Sequence, residues 1–73
     1  MNKEIVEIQT EYITLGQILK LSGIVDTGGQ IKTFLTNEEI FVNGIMEKRR
    51  GKKLYPGDII TFWDNEIHVK RRA

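Results

Sequence analysis

The side chains best suited to chemistry form a basic segment, residues 48–53, in which five of six positions are cationic: Lys48, Arg49, Arg50, Lys52 and Lys53. A guanidinium group can donate two parallel hydrogen bonds to one phosphate, and Gly51 lets the backbone approach such a ligand closely. If five or six cations each neutralised a phosphate, affinity would fall roughly a thousandfold between about 50 and 200 mM salt. The alternative is a solvated loop without a ligand. The cations at 70–72 either extend this surface or form a frayed end.

A second candidate lies at residues 27–30, Thr-Gly-Gly-Gln, which predict the start of a helix. Glycine costs about 1 kcal/mol in a helix relative to alanine, so Gly28 and Gly29 require a reason. Bare N–H groups in a first helical turn can bind an anion. Close packing of two helices explains the glycines equally well, and both explanations stay open here.

Catalysis is not expected, because the necessary side chains are missing. His68 is the only histidine, Ser22 is the only serine, and cysteine is absent. We predict His68 on the solvent face of a strand and Glu38-Glu39 as a solvated helix end. No metal-ligand spacing or nucleotide-binding glycine motif is present, so we predict no catalytic residue, metal, cofactor or small-molecule substrate.

Length and charge limit the class of protein. Seventy-three residues predict one domain over residues 1–73, and an apolar run of at most three residues predicts no membrane helix. The start of the chain lacks an export signal, which favours the cytoplasm. Residues 1–47 carry three lysines and seven acids (−4), whereas residues 48–73 carry eight cations and three acids (+5). This asymmetry indicates either a polarised surface with an anionic partner or two halves that interleave.

Two short helices are predicted by repeated start signals. Thr14 and Gln17 have the spacing of a capping box, and Gly23 suits the left-handed position after a helix. Thr27 and Gln30 repeat the same spacing, so a second helix with a second capping box is expected.

The remaining chain predicts strands. A short edge strand is expected at residues 3–9, with Ile5 as its apolar position and Ile8 out of register. Strands are also expected at 40–42, 59–63 and 66–70, with an irregular stretch between Ile45 and Leu54. The connecting turns are Asn43-Gly44, a type II turn at Tyr55-Pro-Gly-Asp58, and Asp64-Asn65. We therefore predict an α+β domain in which two N-terminal helices pack on a small, bent antiparallel sheet that the first strand either joins or does not.

Residues 14–62, about two thirds of the chain, resemble the S4-like RNA-binding domain of a small-subunit ribosomal protein, some pseudouridine synthases and some tRNA synthetases. The matching features are Leu15, Ile18-Leu19, Thr27, Phe34-Leu35, Ile40-Phe-Val-Asn-Gly44 and Leu54-Tyr-Pro-Gly-Asp-Ile-Ile60. The ordered combination is specific, although Val-Asn-Gly or Pro-Gly-Asp alone would be weak. The length and the stretch up to Lys32 are similar to the short stand-alone members, the YaaA/YbcJ-like proteins.

The resemblance implies the fold known as the alpha-L motif and a non-catalytic module that binds structured RNA, above all ribosomal RNA, through backbone and shape. It also implies a place in ribosome assembly or translation, with ribosomal or assembly proteins as further partners. Tyr55 and Trp63 could stack on bases, although we predict Trp63 half-buried in the sheet. Carried onto this chain, the RNA-binding residues are Thr27, Gly28, Gly29, Lys32, Asn43, Lys48, Arg49, Arg50, Lys52 and Lys53.

The chain departs from the family pattern at three places. Many members have Arg where this chain has Thr14, Ser-Arg where it has Thr27-Gly28, and Gly where it has Glu38. The alternative function is therefore a protein-interaction adaptor of the same fold that has lost RNA binding. A ubiquitin-like sulfur carrier fits poorly, because such proteins end in Gly-Gly and this chain ends Arg71-Arg72-Ala73.

Overall fold

The computed structural model describes residues 2–72. The predicted domain covers residues 1–73, so its first and last residues lie outside the described range. Ala73 of the Arg71-Arg72-Ala73 terminus likewise lies outside it. The elements in chain order are β1 (Asn2–Ile8), β2 (Ile13–Thr14), α1 (Leu15–Leu21), α2 (Gly28–Asn37), β3 (Phe41–Val42), β4 (Ile45–Met46), β5 (Lys53–Leu54), β6 (Ile59–Phe62) and β7 (Asn65–Arg71). The α+β class is confirmed, but the helices are central, because β1 and β2 precede them.

The strands form a mixed sheet, which corrects the antiparallel sheet predicted from the sequence. Five strands have the order β1-β7-β6-β3-β4, and β1 runs parallel to β7 while the other pairs are antiparallel. A parallel pair needs a long connection between its strands, and here the whole chain from β2 to β6 supplies it. The short strands β2 and β5 form a separate antiparallel pair, so the stretch predicted as irregular contains β4 and β5.

The edge position of β1 is confirmed, but its predicted inward register is wrong. Val6 and Ile8 are buried, whereas Ile5 is 55% exposed. Alternate residues of a strand face opposite sides of the sheet. The face of β1 with two apolar residues, Val6 and Ile8, is therefore turned to the core, and the face with Ile5 is turned to solvent. β7 extends through Arg71, and the Arg72 N–H donates to the Ile8 carbonyl at 2.8 Å, so the chain is held in place up to residue 72.

Helix α1 follows its sequence signals closely. The Gln17 N–H donates to the Thr14 hydroxyl at 3.3 Å, and the Thr14 N–H donates to Gln17 Oε1 at 3.0 Å, which confirms the capping box. At the other end Gly23 has φ +80°, and the N–H groups of Gly23 and Ile24 return to the carbonyls of Lys20 and Leu19. These two bonds form a Schellman motif, which ends the helix where the glycine predicted.

Helix α2 begins at the predicted Thr27 cap, but its box is altered. The Gln30 N–H donates to the Thr27 hydroxyl at 3.2 Å, as expected. The Gln30 side chain, however, accepts from the Asp26 N–H at 2.6 Å rather than from Thr27. The second capping box is therefore displaced by one residue along the incoming chain.

Two of the three predicted turns are confirmed and one is shifted. Asn43 and Gly44 have φ of 53° and 83°, as a type I′ hairpin requires. Gly57 has φ 101°, and the Asp58 N–H donates to the Tyr55 carbonyl at 2.9 Å, as in a type II turn. The last turn is Trp63-Asp64 rather than Asp64-Asn65, because β6 ends at Phe62.

The core contains aliphatic residues from both helices and both sheets, together with Phe62. Its fully enclosed members include Leu15, Ile18 and Leu19 of α1, with Leu54 and Ile60 opposite them. The two helices are thus fixed to the strands at their inner faces. Among residues 2–72, no helix is long and apolar enough to cross a membrane.

Candidate nucleic-acid interface

The basic segment is bound through its backbone to the start of α1. The Leu15 N–H donates to the Lys52 carbonyl and the Gly16 N–H to the Arg50 carbonyl, both at 2.9 Å. A helix leaves its first N–H groups without partners inside the helix, so these bonds satisfy both sides at once. The carbonyl groups thereby face inward, and the cationic side chains project from a fixed backbone.

Gly16 makes this close approach possible. A Cβ atom at this position would lie 3.4 Å from Arg50 Cβ, from the Arg50 carbonyl oxygen and from Ile31 Cγ2. A larger side chain would therefore push the basic segment and α2 away from α1. The sequence prediction did not identify Gly16, although a glycine in the first turn of a helix with a complete capping box is a usable signal.

Arg50 reaches from the segment to the start of α2. Its Nη1 atom lies 4.0 Å from the position that a Cβ on Gly28 would take, and a Cβ on Gly29 would meet only the Thr27 hydroxyl at 4.0 Å. Helix packing therefore explains neither glycine. Within residues 2–72, the N–H groups of Gly28 and Gly29 have no hydrogen-bond acceptor. Two free backbone donors thus lie at a helix start that the Arg50 guanidinium approaches at Gly28.

Arg49 is instead occupied by Glu47. Its Nε and Nη2 atoms donate to the two Glu47 oxygens at 3.0 and 3.2 Å, and the N–H groups of Lys48 and Arg49 donate to Oε2. The Arg49 side-chain hydrogen bond, helped by the backbone donors, lowers the pKa of Glu47 from 4.5 to about 2 against a smaller opposing effect of desolvation. The same carboxylate raises the pKa of Arg49.

Two further cations have intramolecular partners. Lys48 Nζ donates to the Glu38 carbonyl at the end of α2 at 2.8 Å, and Lys53 Nζ lies 4.9 Å from the centre of the Tyr12 ring. Arg50 and Lys52 are the members of the segment without such a partner among the described residues. The five cations therefore divide into three with an intramolecular partner and two without one among the described residues.

This arrangement, with helices followed by a hairpin and a cationic segment beside the second helix, can be compared with known proteins. Residues 6–70 match the S4 domain family. The chain belongs to the S4 domain family. It is 49% identical over 55 residues to the "Probable ribosome maturation protein RlbA" of Bacillus subtilis (strain 168), a match that covers 75% of this chain and 78% of that protein. The predicted family is thus confirmed.

Asn43 has a clear structural role in this S4 domain. Its Oδ1 atom accepts from the Ile59 N–H at 2.9 Å, and its Nδ2 atom donates to Asp58 Oδ1 at 3.0 Å. Asp58 Oδ2 in turn accepts from the Tyr55 N–H at 2.8 Å. Asn43 therefore joins the two turns by side-chain bonds, in which both its amide oxygen and its amide nitrogen take part.

The other predicted site residues of the S4 domain lie on α2. Thr27 caps the helix, so its hydroxyl oxygen already accepts one N–H. Lys32 is exposed on the helix surface one turn beyond Gly28. The structure thus brings Thr27, Gly28 and Gly29 together with Arg50, and it adds Gly16 as the residue that permits this proximity.

The isolated polar residues have local partners. His68 Nε2 lies 2.7 Å from Glu66 Oε2, and its side chain is 27% exposed on the face opposite buried Ile67 and Val69, which confirms the predicted side of the strand. Glu38 is more than a solvated helix end, because its carboxylate accepts from Trp63 Nε1 at 3.1 Å. Residues 2–72 contain no group of three or more His, Asp or Glu side chains able to hold a metal ion.

Proposed function

We propose that this protein is a non-catalytic RNA-binding module that recognises structured ribosomal RNA through its backbone and shape during ribosome maturation in the cytoplasm. The S4 family supports the binding mode, and the relative named as a probable ribosome maturation protein supports the process. Ribosomal or assembly proteins would be neighbours in such a complex. The proposed contacts are Thr27, Gly28, Gly29, Lys32, Asn43 and the basic segment.

The observation that carries the proposal is the open start of α2 beside Arg50. A phosphate placed there would accept from the Gly28 and Gly29 N–H groups and from the Arg50 guanidinium. The positive end of the helix dipole adds to this attraction. Because the Arg50 carbonyl is bonded to Gly16, little backbone freedom is lost when the phosphate binds. Contacts of this kind fix the position of an RNA without reading its sequence.

The paired cations contribute differently. Arg49 would have to leave Glu47 before it could donate to a phosphate, and Lys48 would have to leave the Glu38 carbonyl. Lys48 still adds to the positive potential at longer range, an effect that salt screens, whereas the charge of Arg49 is neutralised by Glu47. Arg50 and Lys52 should therefore supply most of the direct phosphate contacts.

The test is fluorescence anisotropy with a labelled folded fragment of ribosomal RNA, titrated at several salt concentrations, with duplex DNA of equal length for comparison. We expect preference for the folded RNA and steep loss of affinity with salt. Arg50→Ala combined with Lys52→Ala should reduce the slope of log affinity against log salt by about two.

The matched control is Lys70→Ala combined with Arg71→Ala, which removes the same charge from the end of β7. The control should leave the slope closer to that of the wild type. Equal slopes for the wild type and the Arg50/Lys52 variant would contradict the assigned interface. Absence of RNA binding at low salt would contradict the proposed function itself.

One observation favours the adaptor as a second candidate. Three of the five cations have partners within the chain, so less positive charge is free than the sequence indicates. An adaptor would bind a ribosomal or assembly protein after ribonuclease treatment, with unchanged affinity in the Arg50/Lys52 variant. Loss of the complex on ribonuclease treatment would contradict this second candidate.

A further inference from the structure

Trp63 lies in a position that the turn does not explain. Its φ is 51°, a left-handed conformation that bulky residues rarely adopt, and it is 61% exposed. Glycine or asparagine would suit such a turn better. The chain therefore bears both backbone strain and an exposed indole ring at this point. Strained backbone conformations of this type are concentrated at functional sites, so Trp63 is a candidate for one.

The indole ring is nevertheless held firmly. The Phe34 and Phe62 rings meet it edge-on, with centroids at 5.3 and 5.8 Å and interplanar angles of 77° and 72°. Its Nε1 atom donates to Glu38 Oε2 at 3.1 Å, which fixes the rotation of the ring. A rigid aromatic surface of this kind loses little entropy when a flat ligand stacks on it.

Trp63 forms one wall of a groove of about 780 Å³ that runs along α2, from Asp26 ahead of the helix to Glu38 at its end. Thr27 and Gly29 line this groove and also belong to the proposed phosphate site. The charged side chains in the lining are Asp26 and Glu38, and no lysine or arginine contributes to it. Two carboxylates without a cation among the lining residues favour a neutral base that presents N–H donors.

We propose that this groove binds one unpaired nucleobase of the RNA, stacked on Trp63, with guanine preferred. This inference rests on the proposed function, because the phosphates next to that base would lie at the start of α2. Guanine carries neighbouring N1–H and N2–H donors, and the Asp26 carboxylate has no hydrogen-bond partner among residues 2–72. Base stacking and hydrogen bonds to a base edge are how proteins read nucleotides outside a helix.

The experiment uses Trp63 as its own reporter, since it is the only tryptophan of the chain. Two RNA hairpins share one stem sequence and one loop sequence, and only one of them carries in addition a single bulged guanine in the stem. We expect the unpaired guanine to quench the tryptophan fluorescence and to raise affinity by about tenfold, the lower range of measured stacking effects. A hairpin with an unpaired uridine should give a smaller increase.

Variants separate stacking from folding. Trp63→Asn suits the left-handed turn and should fold, yet bind both hairpins with the affinity of the one that lacks the bulge. Trp63→Phe keeps an aromatic face and should retain most of the preference. Leu21→Ala is the control, because Leu21 is 66% exposed and lies outside the groove.

Equal binding of both hairpins without quenching, together with intact salt-dependent affinity, would overturn the inference and leave the proposed function standing. Quenching by an arginine-rich peptide but by neither RNA would also overturn it, and would assign the groove to a basic protein. No binding of either hairpin at low salt would overturn both proposals.

Discussion

The two helix starts of this molecule have the same sequence device and opposite accessibility. Thr14 and Thr27 both cap a helix and accept the N–H of a glutamine three residues later. At α1 the next two N–H groups are closed by carbonyls of the basic segment. At α2 the equivalent groups belong to Gly28 and Gly29, which are exposed and without an acceptor in the described part of the chain.

The difference shows how one segment serves two purposes. The backbone of residues 50–52 completes α1, while the Arg50 side chain extends to the start of α2. A helix end that the protein has already satisfied contributes stability, and one that it leaves open is available to an anion. The structure of α1 thus positions the cation that makes α2 a candidate site.

The largest expected effect on stability comes from a side chain at Gly16, which would separate the start of α1 from the basic segment. Gly16→Val places methyl groups against Arg50 and Ile31, so the free energy of unfolding should fall by about 1–3 kcal/mol. Gly29→Val is the matched control at the open start, and it should change stability by less than about 0.5 kcal/mol. Urea denaturation measures both. Equal losses in the two variants would show that Gly16 is not the point of close approach.

The two capping threonines should differ by a smaller amount in their contribution to the free energy of unfolding. Thr14→Ala removes a hydroxyl from a reciprocal box, so we expect a loss of about 1–2 kcal/mol. Thr27→Ala should cost about 0.5–1 kcal/mol, because Thr27 is exposed and Gln30 is bonded to Asp26 instead. Thermal unfolding monitored by circular dichroism provides the comparison. A greater loss for Thr27→Ala would reverse the assigned roles.

The smallest expected effect concerns Glu47. Its pKa is about 2 in the folded chain against an ordinary value of 4.5, so its contribution to stability is complete above about pH 4.5 and is lost as the pH falls towards 2. Glu47→Gln should therefore flatten the loss of thermal stability in this acid range. It also releases Arg49, which should raise the salt slope for RNA by about one. An unchanged acid profile would contradict the assigned ion pair.

Local signals in the sequence predicted much of the fold. Four of these signals act only through neighbouring residues, and each was predicted correctly: the Thr14-Gln17 capping box, Gly23, Asn43-Gly44 and Gly57. The parallel pairing of β1 with β7 joins residues 63 positions apart, so no local pattern could specify it. The shift of the last turn to Trp63 was missed because propensity disfavours tryptophan in a left-handed conformation.

The site was predicted less completely than the fold. Cation density identified the basic segment, but it could not show that Glu47 occupies Arg49 or that Lys53 lies over Tyr12. These two contacts depend on side-chain directions. The direction of Glu47 follows from the β3–β4 hairpin, and the direction of Lys53 follows from the pairing of β5 with β2. The assignment of RNA contacts to individual residues therefore stays a prediction, in which the structure distinguishes Arg50 and Lys52 from their neighbours.

The most direct test compares the glycine amides of the two helix starts by nuclear magnetic resonance. A ¹⁵N-labelled sample is titrated with the folded ribosomal RNA fragment, and the amide signals of Gly16, Gly28 and Gly29 are followed. We expect large shifts for Gly28 and Gly29, whose N–H groups are open, and little change for Gly16, whose N–H is bonded to the Arg50 carbonyl. Binding that leaves Gly28 and Gly29 unchanged would contradict this expectation.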